Sequence, residues 1–321
     1  MRVTEHTNFD LVRENVRKSK ERMEGLQRQN ATLKKLNAPS DDPIGAAKIL
    51  EIRTDRVNNE QFLNNARLAE TFLSNTDHAL SELSDLVVRA KEIAIGQSSG
   101  ASANDDTRKG LAEEVKQLFL QAVSTGNRRI GERYLFGGYR VHEPPIDQDG
   151  VFRGDGGKMM VEVSNGVYLP MNVTGPEVLG VTVQERPREG DENSQVNRTP
   201  AGHTGSEESS GTNIFDELQR LRISLLTGDV DSVRGTLEGL DEVHGKLIAA
   251  RAMVGSRIQG IQTATNSLER QNLTQANLSS SLEDADMAQV VADLAKEETV
   301  FRSSLASSQK LIQPTLLEFL R

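Results

Sequence analysis

The chain has no cysteine and no tryptophan, and only three tyrosines and nine phenylalanines among 321 residues. Without thiols there is no disulfide, no thiolate metal site and no cysteine nucleophile. Aromatics at 4% and a mean hydropathy of -0.49 leave too little bulky apolar material for one thick globular core. No run of about 18 apolar residues is available to span a bilayer as a helix. The opening Met1-Arg2-Val3-Thr4-Glu5-His6 lacks the apolar centre of a cleavable signal peptide. Acidic residues number 47 against 38 basic, a net charge of -9, with no compact basic stripe, so nucleic acid is a poor partner. Composition alone points to elongated helical bundles and a cytoplasmic address. A secretion route that reads an unstructured N-terminus is equally compatible with this sequence.

What the chain does have is the same apolar stripe at both ends. Phe9, Val12, Val16, Met23, Leu26 and Leu33 fall on steps of three and four, interrupted only by Ser19 and Asn30. Met287, Val291, Leu294, Phe301, Leu305 and Ile312 repeat the ladder, interrupted by Glu298 and Ser308. That spacing places each set on one helix face, which needs a partner. The two faces are natural partners for each other or for further copies of themselves. The polar interruptions either set register, as buried polar groups do in coiled coils, or sit at solvent-exposed points of a loose seam. Stripes this narrow do not offset the entropy of ordering both ends, so the ends are expected to order as copies pack together.

Between the ends the chain reads as helices, a small β insert, then helices. The first helix is predicted from about Thr7 to Leu36. A loop through Pro39-Ser40-Asp41 leads to Asp42 as N-cap and Pro43 at the first helical position, where its missing N–H costs nothing. A long helix follows to about Ala94, with Ile52, Phe62, Ala66, Ala69, Leu73, Leu80, Leu83, Val87 and Ala90 on its apolar face. A third helix, capped around Asn104 to Asp106, carries Leu111, Val115, Leu118 and Ala122. The period then changes toward two. Val151-Phe152-Arg153, Met160 to Val163 and Val167-Tyr168-Leu169 read as strands, with Asn165-Gly166 as a hairpin turn. Glu185 to Thr212 reads as a mobile loop or linker. Helix returns with Ile214, Leu218, Leu221 and Leu225. After a turn at Gly228-Asp229 a ladder runs Val233, Leu237, Leu240, Leu247, Val254, Ile258, Ile261, Leu268, Leu282. It slips at Glu283 to Asp286, where Asp286 can cap the last helix. The fold class is thus mainly α with a small β insert. The expected domains are a terminal helical assembly domain (1–42 and 284–321), a long-helix rod (43–137 and 212–283) and a small β-rich outer domain with a flexible loop (138–211).

Sharper chemical readings fare poorly. Asp147-Gln148-Asp149-Gly150 resembles the start of a calcium loop, but its twelfth position is Lys158 where a bidentate Glu is needed. Gly154-Asp155-Gly156-Gly157-Lys158 lacks the spacing of a phosphate loop and a following helix. His6, His78, His142, His203 and His244 show no metal-ligand spacing. Ser206 to Ser210 has no partner base. Asp41-Asp42 and Asp105-Asp106 are explained by helix starts and the helix dipole. No catalytic residue, cofactor or metal is expected. Membrane contact is disfavoured because the amphipathic ends carry mixed charge and narrow seams.

Ser40-Asp41-Asp42-Pro43-Ile44-Gly45-Ala46-Ala47 resembles the helix-start motif of flagellins and their junction relatives. Asn64-Asn65-Ala66, Arg89-Ala90-Lys91-Glu92-Ile93-Ala94 and Tyr134-Leu135-Phe136-Gly137-Gly138 extend the likeness over nearly the whole chain, and the Leu316-Leu317-Glu318-Phe319-Leu320 ending fits. Arg153-Gly154-Asp155 leading to Thr174-Gly175, Arg251 to Arg257 and the short insert resemble the hook–filament junction branch more than filament flagellin. Ala31-Thr32-Leu33-Lys34-Lys35 departs from the Ser-Gly-rich turn of relatives, so the first helix is expected to run further here. The resemblance marks Asp41, Asp42, Pro43 and Gly45 as the family motif. It implies a secreted, non-enzymatic subunit of the bacterial flagellum, exported unfolded through the type III channel with a chaperone. Its partners would be a ring of its own copies, the first hook-associated junction protein and filament flagellin. The terminal helices would form the inner tube. The alternatives are a filament flagellin and, from a different class, a cytoplasmic coiled-coil scaffold.

Overall fold

The computed structural model describes residues 5–98, 104–180 and 212–319, with side chains for 10–98, 104–180 and 212–308. Among the described residues the elements follow in the order α1 (Glu5–Thr32), α2 (Pro43–Ser98), α3 (Asp105–Gly126), β1 (Arg129–Ile130), β2 (Arg133–Tyr134), β3 (Met160–Ser164), β4 (Val167–Pro170), α4 (Gly175–Leu179), α5 (Ile214–Thr227), α6 (Val230–Glu283) and α7 (Met287–Phe319). The mainly helical fold with a small β insert is therefore observed. Most of the predicted mobile loop, residues 185–211, lies outside the described residues, as do Ser206 to Ser210.

The chain divides into two compact units, one of residues 1–60 with 269–321, the other of 61–268. In the second unit, α2 and α6 run antiparallel, tied by Asp77–Arg251 at 3.0 Å, Glu70–Gln262 at 3.0 Å and Lys91–Asp241. The apolar phases do their work here. Ala66, Ala69, Leu73, Leu80, Leu83, Val87, Ala90 and Ala94 of α2 are buried, as are Val233, Leu240, Leu247, Val254 and Ile261 of α6. Helices α3 and α5 pack on each other, with Phe119 and Phe215 edge to face at 5.9 Å. Gly150, at φ +85°, lies against that pair: a Cβ there would stand 2.7 Å from the Cβ of Phe215.

The β insert is smaller than its sequence suggests. Only β3 and β4 form the predicted hairpin, turning through Asn165-Gly166 with Gly166 at φ +73°. Residues 151–153 are not a strand: they contribute a single bridge, Ile146↔Phe152. The reason is Asp147, whose Oδ1 accepts the N–H groups of Asp149 and Val151 while Oδ2 accepts from Arg153. Those bonds curl the segment into a turn and consume the carboxylate that a calcium loop would need. In the glycine-rich stretch after it, Asp155 Oδ1 accepts from the N–H groups of Tyr139 and Gly157. Gly138 (φ +69°) makes room, since a Cβ would overlap Asp155 at 2.0 Å. The stretch is a structural turn, with Lys158 held by Glu177 at 2.6 Å.

Candidate functional site

The first unit is where the two terminal stripes meet. Helices α1 and α7 pack together with opposed chain directions. Helix α1 stops at Thr32, four residues short of the sequence-based boundary, because Leu33 adopts φ +59°. A left-handed residue after the last helical turn is the usual helix stop, but the position ordinarily favours glycine. The absence of a Gly in Ala31 to Lys35 therefore does not lengthen the helix. It makes Leu33 carry the strain instead. The turn it starts pairs with the α6–α7 turn: Lys35 donates to Glu283 O at 2.7 Å and Ala285 to Leu33 O at 3.1 Å.

Both helix starts flanking these turns are capped by aspartate. Asp42 Oδ1 accepts from Ile44 and Gly45 at 3.1 and 3.0 Å, and Asp286 Oδ1 from Ala288 and Gln289 at 3.0 and 3.3 Å. Asp41 Oδ2 accepts from Asn37 and Ala38, which fixes the loop ahead of Pro43. Gly45 is buried, and a Cβ on it would stand 2.5 Å from Asp42 Oδ2 and 2.9 Å from Leu36. The motif thus has a steric logic: two acids fold the loop and a glycine lets it close on the helix. Behind the turns, Glu283 accepts Lys34 Nζ at 2.5 Å and Arg53 Nη2 at 2.6 Å on the same oxygen. It also lines an open cleft of about 510 Å³ with Leu36, Pro39, Ile49 and Leu50.

The stripe itself is incompletely covered. Val12, Val16, Met23, Leu26, Met287, Leu294 and Phe301 are half-buried. Leu33, Val291 and Leu305 are exposed at 57%, 53% and 41%. Phe9 and Ile312 lie on α1 and α7, with side chains outside the described residues. Among the described side chains of the α1 stripe, the most buried is a polar one whose environment its spacing does not fix. Ser19, 1% exposed, donates to Glu297 Oε1 at 2.8 Å, and Arg22 donates to the same oxygen at 3.1 Å. Ser19's hydroxyl leads in holding the Glu297 carboxyl below its ordinary range; burial pulls the other way and Arg22 helps to overcome it. Asn30, by contrast, is exposed. Glu297 went unnoticed in the sequence because it sits beside the seam's phase rather than on it.

The contrast between the units is the decisive geometry. Among the described side chains, the buried apolar residues of the first unit are Ile49, Ile52 and Val290 alone; every other buried apolar residue belongs to the second. No three His, Asp or Glu side chains among the described residues are placed to hold a metal ion, and no described helix is long and apolar enough to cross a membrane.

Residues 8–138 match the model of the bacterial flagellin N-terminal helical region. Among the proteins similar to this chain is the flagellar hook-associated protein 3 of Escherichia coli, 23% identical over 86% of each chain. A flagellin of Listeria monocytogenes is 21% identical over 92% of this chain and 90% of its own. A solved flagellar hook-associated protein-3 from Legionella pneumophila shares the fold at a TM-score of 0.56 and 18% identity, over 73% of this chain and 97% of that one. The matched region runs from the α1 stripe through the Asp42 cap to Gly138, so it contains the N-terminal half of the unfinished pair.

Proposed function

We propose that this chain is a structural, non-enzymatic subunit of the bacterial flagellum that joins hook and filament. One observation carries the reading: the first unit leaves most of its apolar stripe half-covered or exposed in a single chain, whereas the second unit buries its own. An amphipathic pair in that state gains stability by packing against further copies. Phe9, Val12, Val16, Met23, Leu26, Leu33, Met287, Val291, Leu294, Phe301, Leu305 and Ile312 are the proposed contact set, with the Asp41-Asp42-Pro43-Gly45 motif holding their geometry. In this reading the terminal segments (1–42 and 284–321) line the inner tube. The long helices (43–137 and 212–283) form the next layer, and residues 138–211 face outward. The hook-associated protein 3 of Escherichia coli, somewhat more identical than the flagellins, and the solved hook-associated protein that shares the fold support the junction role over a filament role. The subunit would be exported unfolded with a chaperone, form a ring of copies on the first junction protein, and receive flagellin.

Electron microscopy of cells lacking the gene tests this. Hooks without filaments, with flagellin shed into the medium, are the expected outcome. Filaments that are merely shortened would reassign the chain to the filament itself, and normal filaments would remove it from the structure.

A further inference from the structure

The β3–β4 hairpin carries the chain's single Asn-Gly step, Asn165-Gly166. Its strands pair Glu162 with Tyr168 and then Ser164 with Val167, so β3 inserts one extra residue, the buried Val163, just before the turn. The turn itself stands in water. Asn165 and Gly166 are exposed, and no hydrogen bond among the described residues holds the Asn165 carboxamide. Open space surrounds Gly166, where a Cβ would meet nothing within 4 Å. Into this space reaches Glu162, whose Oε1 accepts the Gly166 N–H at 2.9 Å.

That N–H belongs to the backbone nitrogen that can close a five-membered ring on the asparagine side chain. The Gly166 nitrogen bonds to Asn165 Cγ, the Cγ–Nδ2 bond breaks, and ammonia leaves with the amide proton. Water then opens the cyclic imide. Opening at the side-chain carbonyl gives aspartate; opening at the main-chain carbonyl gives isoaspartate, with the main chain rerouted through Cβ. Glycine favours the closure because it sets no side chain beside the attacking nitrogen. Glu162 opposes it. In the imide, Cγ occupies the position that the amide hydrogen holds in the open chain, and that hydrogen is directed at Oε1. The carboxylate must let go before the carboxamide can approach. A hydrogen bond to an ionised acceptor is stronger than one between neutral groups, so the hold slows the ring closure even at the surface.

We infer that Asn165 is a site of spontaneous conversion to aspartate and isoaspartate, and that Glu162 is a positioning residue that slows it by holding the Gly166 N–H. Each conversion places a second carboxylate near Glu162. The isoaspartate also lengthens the turn by one main-chain atom between the paired Ser164 and Val167. The inference concerns a single chain and does not depend on the assembly reading.

The test incubates the full-length folded protein and its variants Glu162→Ala and Glu162→Gln at neutral pH. Peptide mapping by mass spectrometry follows the mass gain at Asn165, and an isoaspartyl methyltransferase labels the rerouted product. Hydrogen exchange on peptides covering 159–171 reports whether the hairpin stays paired. Glu162→Ala should convert about fivefold faster than the parent, the factor that one partly exposed charge-assisted hydrogen bond is worth. Glu162→Gln, whose carboxamide oxygen still accepts the N–H, should stay close to the parent. A slower alanine variant would make Glu162 a base rather than a hold and overturn the inference. So would a glutamine variant as fast as the alanine one with the hairpin intact. Where the alanine variant loosens the hairpin, the parent decides: conversion as fast in the folded parent as in the same protein unfolded by urea overturns the inference.

Discussion

Removing the Glu283 carboxylate should loosen the paired turns of the first unit while sparing the second. The Glu283 side chain is 10% exposed and receives both Lys34, 43% exposed, and Arg53, 52% exposed. A hydrogen bond to a charged group contributes about 1.5–3 kcal/mol when well shielded, and partners half in water reduce that to about 1 kcal/mol each. Glu283→Ala should therefore cost about 2–3 kcal/mol locally, including the small void. Glu283→Gln, which keeps one acceptor oxygen, should cost about 1–2 kcal/mol. By mass action 2–3 kcal/mol is a rise of roughly 30- to 150-fold in the opening equilibrium. Hydrogen exchange read by mass spectrometry on peptides covering 30–40 and 280–290 measures it. Peptides from α3 and α5 serve as internal controls. A double-mutant cycle with Arg53→Ala should return a coupling of about 1 kcal/mol. Raising salt to 1 M should shrink that coupling without abolishing it, because one partner is buried. If exchange in Glu283→Ala rises by less than about twofold, the clamp is decoration and the reasoning about this junction is wrong.

Relieving the left-handed Leu33 with Leu33→Gly should raise the stability of the isolated chain by about 0.5–1 kcal/mol, the strain released less the flexibility gained by the unfolded chain. A denaturant titration reads it, and a loss of stability would contradict the strain argument. Glu217 is 4% exposed, and burial pushes its carboxyl above the ordinary range although Arg220 pulls it back. Charging it therefore costs the folded state. The penalty is absent below the unfolded carboxylate range and present once pH exceeds the folded value, so Glu217→Gln should raise the melting temperature at pH 7 and lose that advantage in acid. An advantage that grows on acidification would reverse the sign. Leu305→Asp, at a position 41% exposed in one chain, should change monomer stability by less than about 1 kcal/mol yet prevent assembly, because a charge buried against a neighbour has no partner. Sedimentation velocity and melting curves together decide, and polymers of normal length from the variant would remove Leu305 from the contact set.

Legibility in the sequence followed the strength of local chemistry. Asp42-Pro43 and Asp286 announce helix starts because a side-chain oxygen must meet orphan N–H groups, and the bonds are where the rule places them. Asn165-Gly166 announces a turn because few residues accept a positive φ. Strands β1 and β2, two residues each, carry no alternation to detect, and helix α4, five residues long, carries no period. The α1 boundary is not legible locally because Leu33 takes a conformation against its own preference, and it is the paired turn with 283–285, distant in sequence, that holds it there.

The polar residues on apolar phases mark the limit of pattern reading, and their different environments explain why. Ser19 is buried and bonded to one carboxylate, which pins α1 against α7. Asn59 is buried among several near-equal acceptors. Asn30 faces solvent. Identical spacing gives all three the same sequence signature, since periodicity reports only which face a side chain shares. What distinguishes them is the number of partners within reach, a property of the opposing helix. A buried polar group with one partner specifies an arrangement, and one that is wet does not. Under the proposed function, a subunit whose ends pack against further copies has use for the first, a fixed α1–α7 contact that presents the stripe.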